Sequence, residues 1–252
     1  MAFPEEVAPF FLRSQLDQET QLARQGQIGE DTLSRSRWMK SANFEVFDAG
    51  DLENLFEFYD GLFFEGRVRQ LLGEASLKFR ISARMTSAGA KTFRYQSRQT
   101  GERWYEIAVA GNLLFDSFDG SQRDITVCGR TCSTTLEALQ RLMEHELLHL
   151  VELLVWSKSS CSASQFQSMA RRFFGHTDFR HALITPKEQA RDLGIHVGAQ
   201  VRFEYEGQTF VGRVNRITKR ATVLVESRQG RLFNDGFRYE TYYIPLEMLE
   251  RV

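Results

Sequence analysis

The chain has 252 residues, a formal net charge of −1 and ordinary shares of hydrophobic and charged residues, which bounds it to one large or two smaller domains with a real core. Near-zero charge excludes a global field for nucleic acid or anionic lipid, so binding of either needs a local patch. Three cysteines, an acidic start (Met1-Ala2-Phe3-Pro4-Glu5-Glu6) where a signal peptide would be basic, and the lack of any run of about 18 apolar residues together predict a reducing, cytoplasmic setting without membrane contact.

Residues 1–45, rich in Gln, Glu, Arg and Ser, read as an N-terminal extension of one or two surface helices. From Asp51, the positions Leu52, Leu55, Phe56, Tyr59 and Phe63 suit an amphipathic helix that Gly66 can end. Leu77 to Ser82 reads as a strand, and after Ser87-Ala88-Gly89-Ala90 so does Trp104 to Ala110. Thr134-Thr135-Leu136-Glu137 has the form of a capping box, with Thr134 as N-cap, and starts a long helix running past Trp156. Leu136, Leu139, Met143, Leu147, Leu150 and Leu154 form its apolar stripe; His145, His149 and Glu152 lie roughly opposite.

Within that helix stands His145-Glu146-Leu147-Leu148-His149. Positions four apart share a helix face, so two imidazoles can bind one metal ion while the glutamate sits beside a metal-bound water. That spacing points to zinc (Zn2+) and hydrolysis, with His145 and His149 as ligands and Glu146 as general base. A further helix, about Ser164 to Phe174, ends at Gly175.

Thr185-Pro186-Lys187-Glu188 caps a short helix that Gly194 stops, so 185–197 reads as a structured linker. Beyond it the hydrophobic period becomes two. Val201–Tyr205, Thr209–Ile217 and Ala221–Glu226 are broken by Glu206-Gly207, Thr218-Lys219-Arg220 and Gln229-Gly230; Tyr242–Ile244 follows, and Pro245–Leu249 suits a helical turn. Residues 198–252 thus predict a small SH3-like β-barrel. Its basic residues (Arg213, Arg216, Lys219, Arg220, Arg228, Arg231, Arg238) alternate with Phe210, Phe233, Phe237, Tyr239, Tyr242 and Tyr243, a mixture that suits phosphates and base stacking and makes DNA a candidate partner. Acidic residues nearly balance that charge, and alternate aromatics are ordinary barrel core.

Four stretches taken in order carry a resemblance: Phe56-Glu-Phe-Tyr-Asp-Gly-Leu-Phe-Phe-Glu-Gly, Arg84-Met-Thr-Ser-Ala-Gly, Ile107-Ala-Val-Ala-Gly-Asn-Leu-Leu-Phe and His145-Glu-Leu-Leu-His. Residues 46–184 resemble the SprT-like domain, the metalloprotease domain shared with Spartan. The resemblance implies an α+β, zincin-like zinc peptidase with a protein substrate, in a family whose best-known member acts on proteins crosslinked to DNA. The family's third ligand is a His in a motif like Gly-His-Gly-x-x-Phe; here Cys161-Ser162-Ala163-Ser164-Gln165-Phe166 stands there, with Ser162 at the histidine position. Cys161 is a good zinc ligand as thiolate, and a helix N-terminus would favour that form. His176, His181 and Glu152 are its rivals, and His176, His181 or an arginine could stabilise an oxyanion. Cys132 is about 20 Å along the helix axis from His145 and cannot join the same ion; a second site at Cys128 and Cys132 lacks ligands. The alternative to an enzyme is a DNA- or protein-binding module whose zinc site is structural or degenerate.

Overall fold

Aspartates cap the second and third helices in a computed structural model that describes residues 4–119 and 123–252; Met1, Ala2 and Phe3 of the acidic start lie outside them. After α1 (Pro4–Arg13), Asp17 caps α2 (Gln18–Arg35) by accepting the Thr20 N–H at 2.8 Å. Helix α3 (Ala49–Phe64) opens on a reciprocal box between Asp48 and Asp51 and closes at Glu65, which takes a left-handed φ of 54°. The expected stripe Leu52, Leu55, Phe56, Tyr59 and Phe63 is buried throughout. A short α4 (Arg67–Leu72) follows.

The N-terminal helices are not a surface extension. Phe11 and Ile28 are fully buried, and the glutamines that made the segment look solvated are internal hydrogen-bond donors. Gln21 Nε2 donates to the carbonyls of Leu16, Arg171 and Arg172, and Gln25 Nε2 donates to Glu144. Composition misled because a buried polar group is tolerated wherever it is paired.

The first sheet has the order β1-β3-β2: β1 (Ser76–Ile81) runs parallel to β3 (Arg103–Val109), and β2 (Ala90–Gln96) is antiparallel to β3 and lies at the edge. β2 has no counterpart in the sequence reading, because Lys91, Arg94 and Gln96 hide its period. After α5 (Gly111–Asp116), the hairpin β4 (Ile125–Val127) and β5 (Arg130–Cys132) leads into α6 (Thr135–Trp156). Thr134 caps α6 through the Glu137 N–H at 3.2 Å, but Glu137 reaches back to the Ser133 N–H rather than to Thr134, so only half of the expected box forms. Glu137 apart, every residue from Thr135 to Leu148 is buried, so the helix is central rather than amphipathic. Helix α7 (Ser164–Phe174) and strand β6 (His181–Ala182), which pairs with β4, complete this unit, Met1–Leu183.

Fully buried Glu144 ties these helices together. Its Oε1 accepts from Arg141, Gln25 and the Tyr59 hydroxyl at 2.6, 2.8 and 2.9 Å, and its Oε2 accepts from His176 Nε2 at 2.7 Å. Burial opposes the charge, yet Arg141 and the hydrogen bonds from His176 and Tyr59 prevail and hold the carboxyl below its usual range. Glu144→Ala leaves Arg141 buried without its counter-charge and is expected to cost about 3–5 kcal/mol, read as a lowered denaturant midpoint with an unchanged slope.

The second unit, Ile184–Val252, begins with α8 (Pro186–Asp192), capped by Thr185 through the Glu188 N–H. This helix is not a linker: Ala190 and the following Ile195 belong to one apolar core with Val201, Phe203, Val214 and Val223. The sheet order is β10-β9-β8-β7-β11, with β7 (Gln200–Tyr205), β8 (Gln208–Ile217), β9 (Ala221–Leu232), β10 (Arg238–Ile244) and β11 (Glu250–Arg251), all neighbours antiparallel. A 3-10 turn at Leu246–Met248 precedes β11. Gly230, expected in a turn, lies inside β9; a Cβ there would stand 2.3 Å from the Tyr239 backbone, so the glycine permits close strand approach beside the register shift at Arg238/Tyr239. The molecule is thus a mixed α+β protein with three small sheets among the described residues, and none of its described helices is long and apolar enough to cross a membrane.

Candidate metal centre

Helix α6 brings the Nε2 atoms of His145 and His149 to 3.0 Å from each other. Phe166 of α7 packs on both rings, with centroids at 4.8 and 4.6 Å. The opposite nitrogens are already engaged. His149 Nδ1 lies 2.6 Å from Ser159 Oγ, whose own proton goes to Glu152 Oε2 at 2.7 Å; the serine therefore accepts, and His149 carries its proton on Nδ1. His145 Nδ1 lies 3.5 Å from Cys128 Sγ. Burial pushes the Cys128 thiol well up, so it stays protonated beside the imidazole and can donate to it or accept from it. His149 Nε2 then presents a lone pair toward His145 Nε2, where it can accept an N–H from His145 or share a metal ion with it.

Burial holds His145 well below the ordinary imidazole range and His149 down to about 4. The Nε2 pair is within reach of zinc–nitrogen bonds of about 2.0–2.1 Å. Cys161 joins it: the ligand atoms of His145, His149 and Cys161 all lie within 4.8 Å of one another. Its thiol is not eased by a helix N-terminus as expected, because α7 begins only at Ser164. Burial raises it, the backbone N–H at Cys161 lowers it, and the charges of Glu146 and Glu152 raise it further.

Glu146 is buried beside this set, with Thr92 Oγ1 at 2.7 Å from its Oε2 and 3.0 Å from its carbonyl oxygen. Burial raises its carboxyl to about 7 against the opposing Thr92 bonds and the nearby Lys91. A carboxylate poised there can take a proton and release it near neutrality. The group opens on a cleft of about 610 Å³ whose walls include Lys91 and Thr92 of β2, Cys161, Phe179 and His181.

Of the rival ligands, Glu152 is committed to Ser159 and to the Ser160 N–H at 3.1 Å, and so orients His149 instead of binding. His176 is bound to Glu144, away from either donor group, and the Ser162 hydroxyl meets that of Ser160 at 3.0 Å. Cys132 is buried in β5 and also stands in neither group. His181 does enter the site: its ring centroid is 4.4 Å from that of His145, and with Cys128 and His145 it forms a second group of possible donors within 4.8 Å. Sequence reasoning weighed Cys128 only as a partner of Cys132. The signal for its placement was the Cys128-Gly129 turn between two short strands, where both residues take positive φ and the Cys128 backbone bonds Arg180, Thr177 and Asp178. Ser159 and Thr92 carried no such signal.

No protein family, curated protein or solved structure matches the chain.

Ser159→Ala removes the acceptor that fixes His149. Zinc affinity is expected to fall about 10–100-fold, measured by competition with a chelating dye, with the unfolding midpoint of the metal-free protein unchanged.

Proposed function

We propose that the first unit is a zinc-dependent endopeptidase of SprT-like type, in which His145, His149 and Cys161 hold the ion and Glu146 is the general base. The convergence of His145, His149 and Cys161 within 4.8 Å of one another, beside buried Glu146, carries this reading. Donors of two imidazoles and one sulfur, with a buried carboxylate alongside, suit zinc and leave one position for water or substrate. Bound there, zinc supplies Lewis acidity and brings the pKa of a water toward neutrality. Glu146 takes the proton of the attacking water and later delivers it to the departing amine. Thr92 holds the carboxylate at 2.7 Å in the position to do both.

A protein substrate fits the cleft wall. β2 is an edge strand, and its Ala90, Lys91 and Thr92 line the cleft beside Glu146, so an extended peptide can add to that edge and lie across the donor set. The helix-and-sheet order of the first unit supports a zincin-like assignment. The five-stranded meander with a 3-10 turn before its last strand supports an SH3-like barrel for the second. DNA-associated substrates follow from the resemblance alone. In the second unit, Phe210 and Tyr242 pack on Phe203, and Asp235 neutralises Arg213 at 2.9 Å; Phe237 and Tyr243 are exposed rings.

The test is cleavage of a dye-labelled unfolded protein such as casein. Activity that chelation abolishes and added zinc restores supports the proposal, whereas activity indifferent to chelation, or none in the zinc-loaded protein, contradicts it.

A further inference from the structure

His181 remains unused by the ligand set and the base. It sits on β6, held in register by pairing with Val127, and it lines the cleft. Its ring stands edge-on to that of His145, with centroids 4.4 Å apart. It is not within 4.8 Å of all three of His145, His149 and Cys161, so it lies beside that donor set and not in it. Its Nε2 is buried without a hydrogen-bond partner among the described residues. A buried polar atom left unpaired is destabilising, and a bound substrate atom would relieve that cost.

We propose that His181 is the hydrogen-bond donor that stabilises the carbonyl oxygen of the scissile peptide as negative charge develops on it. This rests on the peptidase reading of the same cleft. The other candidates are worse placed. His176 is sequestered by Glu144, and Arg180 is exposed and turned to Asp178 at 3.1 Å. Lys91 is an exposed side chain whose ammonium lies over Phe93.

The step balances without a further reactant. The water oxygen adds to the carbonyl carbon as its proton passes to Glu146, and the carbonyl π pair moves onto the oxygen that faces His181 Nε2–H. As the C–N bond breaks, that pair returns to re-form C=O, and the amine nitrogen takes the proton from Glu146. A donor aimed at that oxygen lowers the barrier more than it strengthens ground-state binding.

His181→Ala and His181→Asn in the full zinc-loaded chain test the assignment through three readouts: bound zinc, kcat and KM on a fluorogenic peptide, and affinity for a peptide phosphonamidate. For His181→Ala the expected result is unchanged zinc, a kcat reduced on the order of 10²–10³-fold and a KM within about threefold of the parent. Phosphonamidate affinity should fall by the same factor as kcat/KM, and His181→Asn, which keeps a donor, should recover part of both. Unchanged kcat with unchanged zinc overturns the assignment. So does loss of zinc from either variant, which makes His181 a metal ligand. A parent chain that takes up no zinc or cleaves nothing refutes the peptidase reading itself, a result distinct from a variant that matches an active parent.

Discussion

Glu146→Gln is expected to lower peptide cleavage on the order of 10²–10⁴-fold while zinc stays bound. Glutamine keeps the shape and can still meet the Thr92 hydroxyl, so the fold and the donors on either side are undisturbed. What it loses is basicity. The carboxyl is buried and raised to about 7, with Thr92 at 2.7 Å as its hydrogen-bond partner. Among the described residues no other carboxylate lines the cleft, and Glu152 is occupied by Ser159 and Ser160. Parallel measurement of kcat/KM and zinc content decides the point: cleavage retained with zinc bound removes Glu146 from the mechanism, and loss of zinc would make it a ligand.

Cys161→Ala is expected to weaken zinc binding by more than about 100-fold, the upper range for losing a group that only orients a ligand. Two imidazoles would remain, and a catalytic zinc ordinarily has three protein ligands. Cys128→Ala is the control, because that sulfur stands behind His145 at Nδ1 and its loss should cost no more than Ser159→Ala does. The opposite order, with zinc held by Cys161→Ala and lost by Cys128→Ala, would move the ion to the group of Cys128, His145 and His181. Equilibrium dialysis against a zinc buffer separates the two arrangements.

Much of the centre was legible because it lies on one helix. The i, i+4 spacing of His145 and His149 and the cap at Thr134 depend on local geometry, which a sequence states directly. Cys161 was reachable through its place in a resembling motif. Cys128, Thr92 and Ser159 were not, since each arrives by tertiary closure: a hairpin turning onto α6, an edge strand whose charged residues disguise its period, and a polar loop after Trp156. The same limit explains the N-terminal helices, whose glutamines read as solvated until their partners on α6 and α7 are seen. In the second unit, Gly230 reads as a break because sequence alone does not show Tyr239 crossing it.

X-ray absorption at the zinc edge of the loaded protein tests the central claim most directly. The account predicts a shell of two imidazole nitrogens, one sulfur at about 2.3 Å and one exchangeable light atom. A shell without sulfur, or one filled by four protein donors with no exchangeable position, would contradict it and leave a structural or degenerate metal site in a binding module.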